Sequence, residues 1–343
     1  MTGYLQSAFV LLAIIISAYY SHYFLAFGRL IGSILRLIAL ALVAKSRGFS
    51  YRPTWHVGSA AKEITVLAVP VFIGSTVNQI NSFVDKMLAS GLEEGSVSAL
   101  NYGYLLINMI TALTITVIVT IIYPRLTQSL AAEDYTRFND SIGTGMNIIL
   151  IIGLPCSLGA MLYSHPAVQL VYERGVFDSA STDLTAGAFF YYAVGLTFIA
   201  VNALLVKVFY SMQDMKTPVV CGVFGAVTNI VLNLMLVGSM AHRGLALATS
   251  IAAVVNAGLL YFWMRKKYPK VQVIRERAKI WKITLSAIVC VRISWPVYKG
   301  IGAIAASSTA LSSTITTLLS LFCAVAAAAA VYLILLRLFR IQE

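Results

Sequence analysis

No aspartate or glutamate occurs before Glu63, and only 11 % of the 343 residues are charged. A soluble domain carries charge on about a quarter of its residues, so an ordinary water-soluble globule is excluded. The four cysteines, Cys156, Cys221, Cys290 and Cys323, sit singly in separate apolar segments. With no C-x-x-C pair and no ligand spacing, they build neither a disulfide framework nor a metal cluster; small buried side chains are the expectation. His22, His56, His165 and His242 are scattered. No P-loop, H-E-x-x-H or G-x-S-x-G motif is present, so no enzyme is indicated. Residues 1–6 hold no Lys or Arg, and no small-residue cleavage site follows the first apolar run, which argues against a secretory leader.

Apolar residues are what the chain has in excess: 59 % hydrophobic, with a mean hydropathy of +0.84. Ten stretches approach the ~20 residues that cross a bilayer as a helix: roughly 4–20, 22–45, 64–90, 98–123, 141–163, 183–210, 218–238, 244–264, 281–305 and 312–336. An outer-membrane barrel would instead show short alternating segments. The prediction is an all-α, polytopic membrane protein of about ten transmembrane helices.

The net charge of +12 is topology rather than a nucleic-acid footprint. With a cytoplasmic N-terminus, seventeen Lys and Arg fall at the inner side and only Arg174, Arg243 and Lys299 outside. That asymmetry puts both termini in the cytoplasm and sets a basic loop, 265–282, against anionic membrane lipid. The loops at 46–63 and 265–282 sort the spans into groups of two, six and two, with boundaries at 1–63, 64–267 and 268–343. Since transporters are often built from repeated bundles, two six-helix bundles plus two helices would make fourteen, and four further helices are expected to precede these ten.

Polar residues at membrane depth are costly and mark function or interhelical bonding. Arg29 and Arg36 lie seven residues apart on one face of the second span, with no acid nearby in sequence. On the third span Gly74, Asn78, Asn81 and Asp85 form one stripe, flanked by Ser75, Gln79, Ser82 and Lys86, which suits a cavity wall better than lipid. Asn229, Asn233 and Thr249, with Asp85, supply the oxygens a hard cation such as Na⁺ prefers; plain interhelical hydrogen bonding is the alternative. Lys207 and Asp214, also seven apart, bracket a charged turn, where Thr217 reads as an N-cap and Pro218 as the first helical residue.

Several motifs, in order, give these features a family likeness. Gln79-Ile-Asn-Ser-Phe-Val-Asp-Lys-Met-Leu-Ala-Ser90, Gly95 to Tyr102, Glu173-Arg-Gly-Val-Phe177, Lys207 to Val219, Asn229-Ile-Val-Leu-Asn233 and Gly244 to Ser250 resemble the MurJ (MviN) lipid II flippases over about 22–268. That family shares a superfamily with multidrug (MATE) and polysaccharide exporters.

The resemblance implies two six-helix lobes around a cationic cavity, and two C-terminal helices forming a groove for the lipid tail. Residues 1–63 would hold the last two helices of an incomplete first lobe, 64–267 a complete second lobe and 268–343 the basic loop and groove helices. It implies transport of the undecaprenyl-pyrophosphate-linked peptidoglycan precursor to the outer leaflet of the inner membrane by alternating access. Arg29, Arg36, Lys86, Lys207 and Asn78 would bind substrate, and Asp214, Lys216, Thr217 and Pro218 would form a hinge. A sodium ion would sit on Asp85, Asn229, Asn233 and Thr249, with no other cofactor, and membrane lipids and cell-wall synthesis proteins would be the partners. Two positions depart from the family pattern: Tyr104-Leu105 replaces a charged or amide-plus-basic pair, and Asn233 stands where an aspartate could be. A flippase for another polyprenyl-linked saccharide, a multidrug extruder and a truncated, non-transporting scaffold in cell-wall assembly are the alternatives.

Overall fold

The protein is described by a computed structural model covering residues 2–19, 23–48, 58–273, 277–307 and 313–339. Over its described residues each predicted span is helical: α1 (Thr2–Tyr19), α2 (Tyr23–Ser46), α3 (Ser59–Ser90), α4 (Ser96–Val117), α5 (Tyr123–Ala131), α6 (Tyr135–Leu162), α7 (Ser164–Tyr172), α8 (Ser179–Ser211), α9 (Lys216–Met240), α10 (His242–Lys267), α11 (Arg277–Ser307) and α12 (Ser313–Leu338). Eight helical segments among the described residues are long and apolar enough to cross a membrane, and Gln6–Ser17 is a shorter apolar helix. The chain is therefore a multi-pass membrane protein.

Local chemistry explains the punctuation. Asp134 and Asp178 cap α6 and α8, each accepting a 2.9 Å bond from the backbone N–H three residues on. Between α4 and α5 a π-helical turn, Ile118–Ile122, precedes Pro124. Proline has no N–H to return to the carbonyl of Thr120, so the ladder loosens there without the helix ending. The span predicted at 98–123 thus continues to Ala131.

The chain divides into two compact units, residues 1–63 and 64–343. In the first, α1 and α2 form a hairpin made close by glycine: a Cβ at Gly32 would come within 3.3 Å of the Gln6 carbonyl oxygen. The second unit is built around α8, which packs on α4, α6, α7 and α10, while α9 lies on α10. A Cβ on Gly195 would stand 2.7 Å from Ser250 Cα; instead Ser250 Oγ donates to the Tyr191 carbonyl (2.6 Å) and accepts from Gly195 N–H (3.0 Å). Helices α11 and α12 pair with each other and α11 packs on α6. They are pinned by Tyr163 Oη to Ser294 Oγ (2.7 Å) and Tyr332 Oη to the Ile151 carbonyl (2.9 Å). Large apolar side chains such as Leu113 and Phe322 stand more than 70 % exposed, as lipid-facing residues should where hydrocarbon replaces water.

The start of the basic loop is folded rather than free. Val271 and Val273 enter the core beside Phe138, Phe209 and Met264, and the Asn139 amide holds Lys270 and Gln272 by two 2.9 Å backbone bonds.

Candidate functional site: a polar partition between two cavities

The predicted cation ligands converge. Asn233 Nδ2 donates to Asp85 Oδ1 at 2.5 Å and to Asn229 Oδ1 at 2.7 Å. Asn229 Nδ2 reaches Thr249 Oγ1 at 3.1 Å. Helices α3, α9 and α10 are thereby joined at one level by side-chain oxygens and amides. Asn81, one helical turn before Asp85, belongs to the same cluster.

One orientation of the Asn229 amide meets its neighbours far better than the other. In one orientation its oxygen faces those of Asp85 and Asn81, each 3.1 Å away; in the other its nitrogen donates to both, while its oxygen accepts from Thr249 Oγ1 at 3.1 Å. The second orientation satisfies the amide with no charge among these oxygens, and it sets the Asn229 and Asn233 amide nitrogens 2.7 Å apart. Asn233 Oδ1 is also buried without a hydrogen-bond partner. One carboxylate among neutral oxygens suits a monovalent hard cation. Among the described residues no group of three or more His, Cys, Asp or Glu could hold a metal ion, so a multi-carboxylate divalent site finds no support there.

Two cavities meet at this cluster, and both are lined by Asn81 and Thr249. One, about 430 Å³, runs toward the Asp214 turn past Asn202, Tyr210, Gly222 and Asn256. The buried Asn202 Oδ1 and Asn256 Oδ1 have no hydrogen-bond partner, so its wall is fit for water or ions. The other, about 400 Å³, lies on the opposite side and is lined by Asp85, Lys86, Asn101, Tyr104 and Tyr192. Tyr104, one of the two departures from the family pattern, packs on the Tyr192 ring at 5.5 Å. An aromatic pair thus occupies the wall where charge is expected.

The turn after α8 differs from its prediction. Gln213 takes φ = 60°, which swings Asp214 out of helical register with Lys207. The Asp214 carboxylate instead meets Lys267 Nζ at 2.7 Å and Tyr268 Oη at 3.2 Å, both at the end of α10. It also accepts from Thr217 N–H (3.1 Å) and Thr217 Oγ1 (2.7 Å). Asp214, not Thr217, therefore satisfies the start of α9, and Pro218 lies third in that helix rather than first. Burial opposes the Asp214 charge, but the Lys267 and Thr217 donors outweigh it and hold the carboxyl below the ordinary aspartate range. Lys216 is exposed and Pro218 buried.

Lys207 is half-buried, its ammonium 5.3 Å from the Tyr123 ring centre and 5.7 Å from that of Tyr210. Lys86 is exposed on the second cavity's wall. In the first unit Arg29 and Arg36 are both exposed, and Arg36 Nη1 donates to Gln6 Oε1 at 3.0 Å. A neutral amide on α1 thus supplies the partner that no acid there can. The Asn78 side chain lies outside the described residues. Sequence reasoning missed Lys267 and Tyr268 as partners of Asp214, because three adjacent basic residues, 265–267, look equally able. It also passed over Arg292, whose signal was plain: an arginine inside a predicted span.

A helical bundle with polar cavities meeting at membrane depth is the architecture of a multi-pass transporter. The MurJ family model, described as lipid II flippase MurJ, matches residues 5–320, and the chain belongs to that family. It is 30 % identical over 240 residues to a probable lipid II flippase MurJ of Rickettsia prowazekii, covering 70 % of this chain and 47 % of the relative. With the Vibrio cholerae counterpart it shares 32 % over 239 residues, 69 % of this chain and 45 % of the other. The chain thus spans about half the length of the curated relatives it matches. A solved lipid II flippase MurJ in an inward closed conformation superposes with a TM-score of 0.79 at 21 % identity, over 98 % of this chain and 66 % of that one. An outward-facing multidrug resistance MATE transporter gives 0.56 at 18 % identity, over 82 % and 67 %. At such identities these two show the fold alone.

Proposed function

We propose that the chain carries out, or forms part of, a lipid II flippase of the bacterial inner membrane, with both termini cytoplasmic. The observation that carries this reading is a cationic side chain, Lys86, on the wall of a polar cavity inside a bundle whose sequence matches the flippase family over 5–320. A pyrophosphate needs cations, and in the first unit Arg29 and Arg36 each carry the planar fork that fits phosphate oxygens. Drug extrusion would favour an acidic cavity wall, and the one acid on this wall, Asp85, is held by amides.

An inside-negative membrane potential, worth about 2.3 kcal/mol per charge per 100 mV, favours outward movement of the anionic lipid and inward return of an empty cationic wall. The family moves a lipid without changing it, so no catalytic group is required. A sodium ion bound by Asp85, Asn229, Asn233 and Thr249, with Asn81 as an added oxygen, would give the buried Asn233 Oδ1 the partner it lacks and join α3 to α9 and α10. Lys207 is better suited to fastening α8 to α5 through Tyr123 than to touching substrate.

The test is transport of lipid II in proteoliposomes holding the protein, read by its exposure to a membrane-impermeant reagent. Movement above the rate of protein-free vesicles is expected, reduced at least tenfold when Arg29 and Arg36 are both changed to Gln. Exposure no faster than in protein-free vesicles would sink the reading.

A further inference from the structure

Beyond the polar cluster itself, two more amide oxygens in the second unit are buried without a hydrogen-bond partner, Asn202 Oδ1 and Asn256 Oδ1. Both residues line the cavity of about 430 Å³ that runs from the cluster toward the Asp214 turn. Asn202 Nδ2 donates to the Ala253 carbonyl at 3.1 Å, which fixes that amide and leaves its oxygen over. Asn256 stands seven residues after Thr249, so the two share a face of α10, about 10 Å apart along its axis.

The facing wall is α9. Pro218, Gly222, Gly225 and Asn229 follow one another at steps of four, three and four, and all four line the cavity. A Cβ on Gly222 would meet no atom within 4 Å, so the space on that side is open rather than packed. Helix α3 closes the gap: a Cβ on Gly74 would come within 3.3 Å of Val219 Cγ2. Among the described residues no charged side chain lines this cavity; Lys207, against the lining residue Tyr210, keeps its ammonium on the Tyr123 and Tyr210 rings. The cavity on the other side of the cluster, in contrast, carries the Lys86 cation on its wall.

A carbonyl oxygen left alone inside a membrane span costs several kcal/mol, so these oxygens call for water or an ion. At ~30 Å³ per molecule the cavity takes on the order of ten waters. Neutral oxygens spaced along such a passage replace part of a cation's hydration shell without holding it too firmly to leave. A small cation at the Asp85 cluster thus has two ways out, one past a lysine and one past uncharged oxygens, and electrostatics favours the second.

We propose that the Asn202–Asn256 cavity is an inward sodium path: a water-filled vestibule through which the ion of the Asp85 cluster exchanges with the cytoplasm. This deepens the proposed function and rests on its sodium site and its topology. Asn256 and Asn202 are the stepping oxygens, and Gly222 keeps the passage wide enough for a partly hydrated ion.

The experiment places a thiol in the passage with G222C and exposes it to two membrane-impermeant methanethiosulfonate reagents of similar size, one cationic and one anionic. Each is applied to inverted and to right-side-out membrane vesicles, with wild type giving the background of the four native cysteines. A thiol ionises and reacts only where water reaches it, so modification should be at least about tenfold faster from the cytoplasmic face of inverted vesicles than from the outer face. The cationic reagent should react about tenfold faster than the anionic one. Because a Cβ at Gly222 meets nothing, unmodified G222C should match wild type in thermal melting and in its stabilisation by sodium over choline, which separates the passage from the fold. No modification above background, or modification from the outer face alone, overturns the path and leaves the sodium site and the flippase reading standing. Equal rates for the two reagents also overturn it, since the cavity would then admit water without preferring cations. If sodium does not stabilise wild type over choline, the sodium reading falls, and the path falls with it whatever the labelling shows.

Discussion

Two aspartates in the second unit, Asp85 and Asp214, are both withdrawn from solvent, and their surroundings differ. Asp214 is finished: a lysine, a tyrosine and both donors of Thr217 meet its carboxylate. Asp85 is unfinished, for its carboxylate is met by neutral amides and by no cation. A paired buried charge fixes one structure; an amide-lined charge leaves a place for a cation. The lesson is that charge at depth marks function only after its partners are counted, and Lys207, clasped by two tyrosine rings, falls on the finished side.

The sharpest way to break the comparison is to remove each carboxylate in turn. Asp214→Ala leaves Lys267 and the start of α9 without their acceptor, and melting in detergent should show a loss of about 2–3 kcal/mol. That is the low end for a broken buried pair, because Lys267 is half exposed. Asp85→Asn keeps the shape and the neighbouring amides and removes only charge, so in sodium-free buffer it should change stability by less than about 1 kcal/mol. Equal losses at the two positions would show that both are structural.

A smaller effect separates them by ligand. At Na⁺ tenfold above its dissociation constant, a site present only in the folded protein adds about 1.4 kcal/mol. Wild type and Asp214→Asn should both gain that stabilisation over a choline control, and Asp85→Asn should gain none. A sodium response that survives in Asp85→Asn would place the ion elsewhere.

The two aspartates also differ in how much the sequence revealed. Helical spacing alone placed Asn81 and Asp85 on one stripe, and four-residue spacing put Asn229 beside Asn233; period and polarity survive folding because α3 and α9 are unbroken there. The same spacing misled at Asp214, since the positive φ of Gln213 ends the register that tied it to Lys207. Nothing in a glutamine announces that conformation, which glycine or asparagine would have signalled. Arg292 was legible as an arginine inside a predicted span and was passed over.

Acid gives the gentlest probe. The folded Asp214 carboxyl lies below the ordinary aspartate value, so as pH falls the unfolded chain takes up its proton first. The stabilisation from Asp214 is therefore whole above about pH 4, the unfolded range, and is lost as pH drops through the lower folded value. The stability difference between wild type and Asp214→Asn should hold steady from neutral pH to about 4 and shrink below it. It should shrink less than full removal of the side chain would suggest, because a protonated carboxyl still accepts from the Thr217 N–H. A difference that stays constant into strong acid would mean that Lys267 contributes nothing through charge, and that Asp214 acts only as the cap of α9.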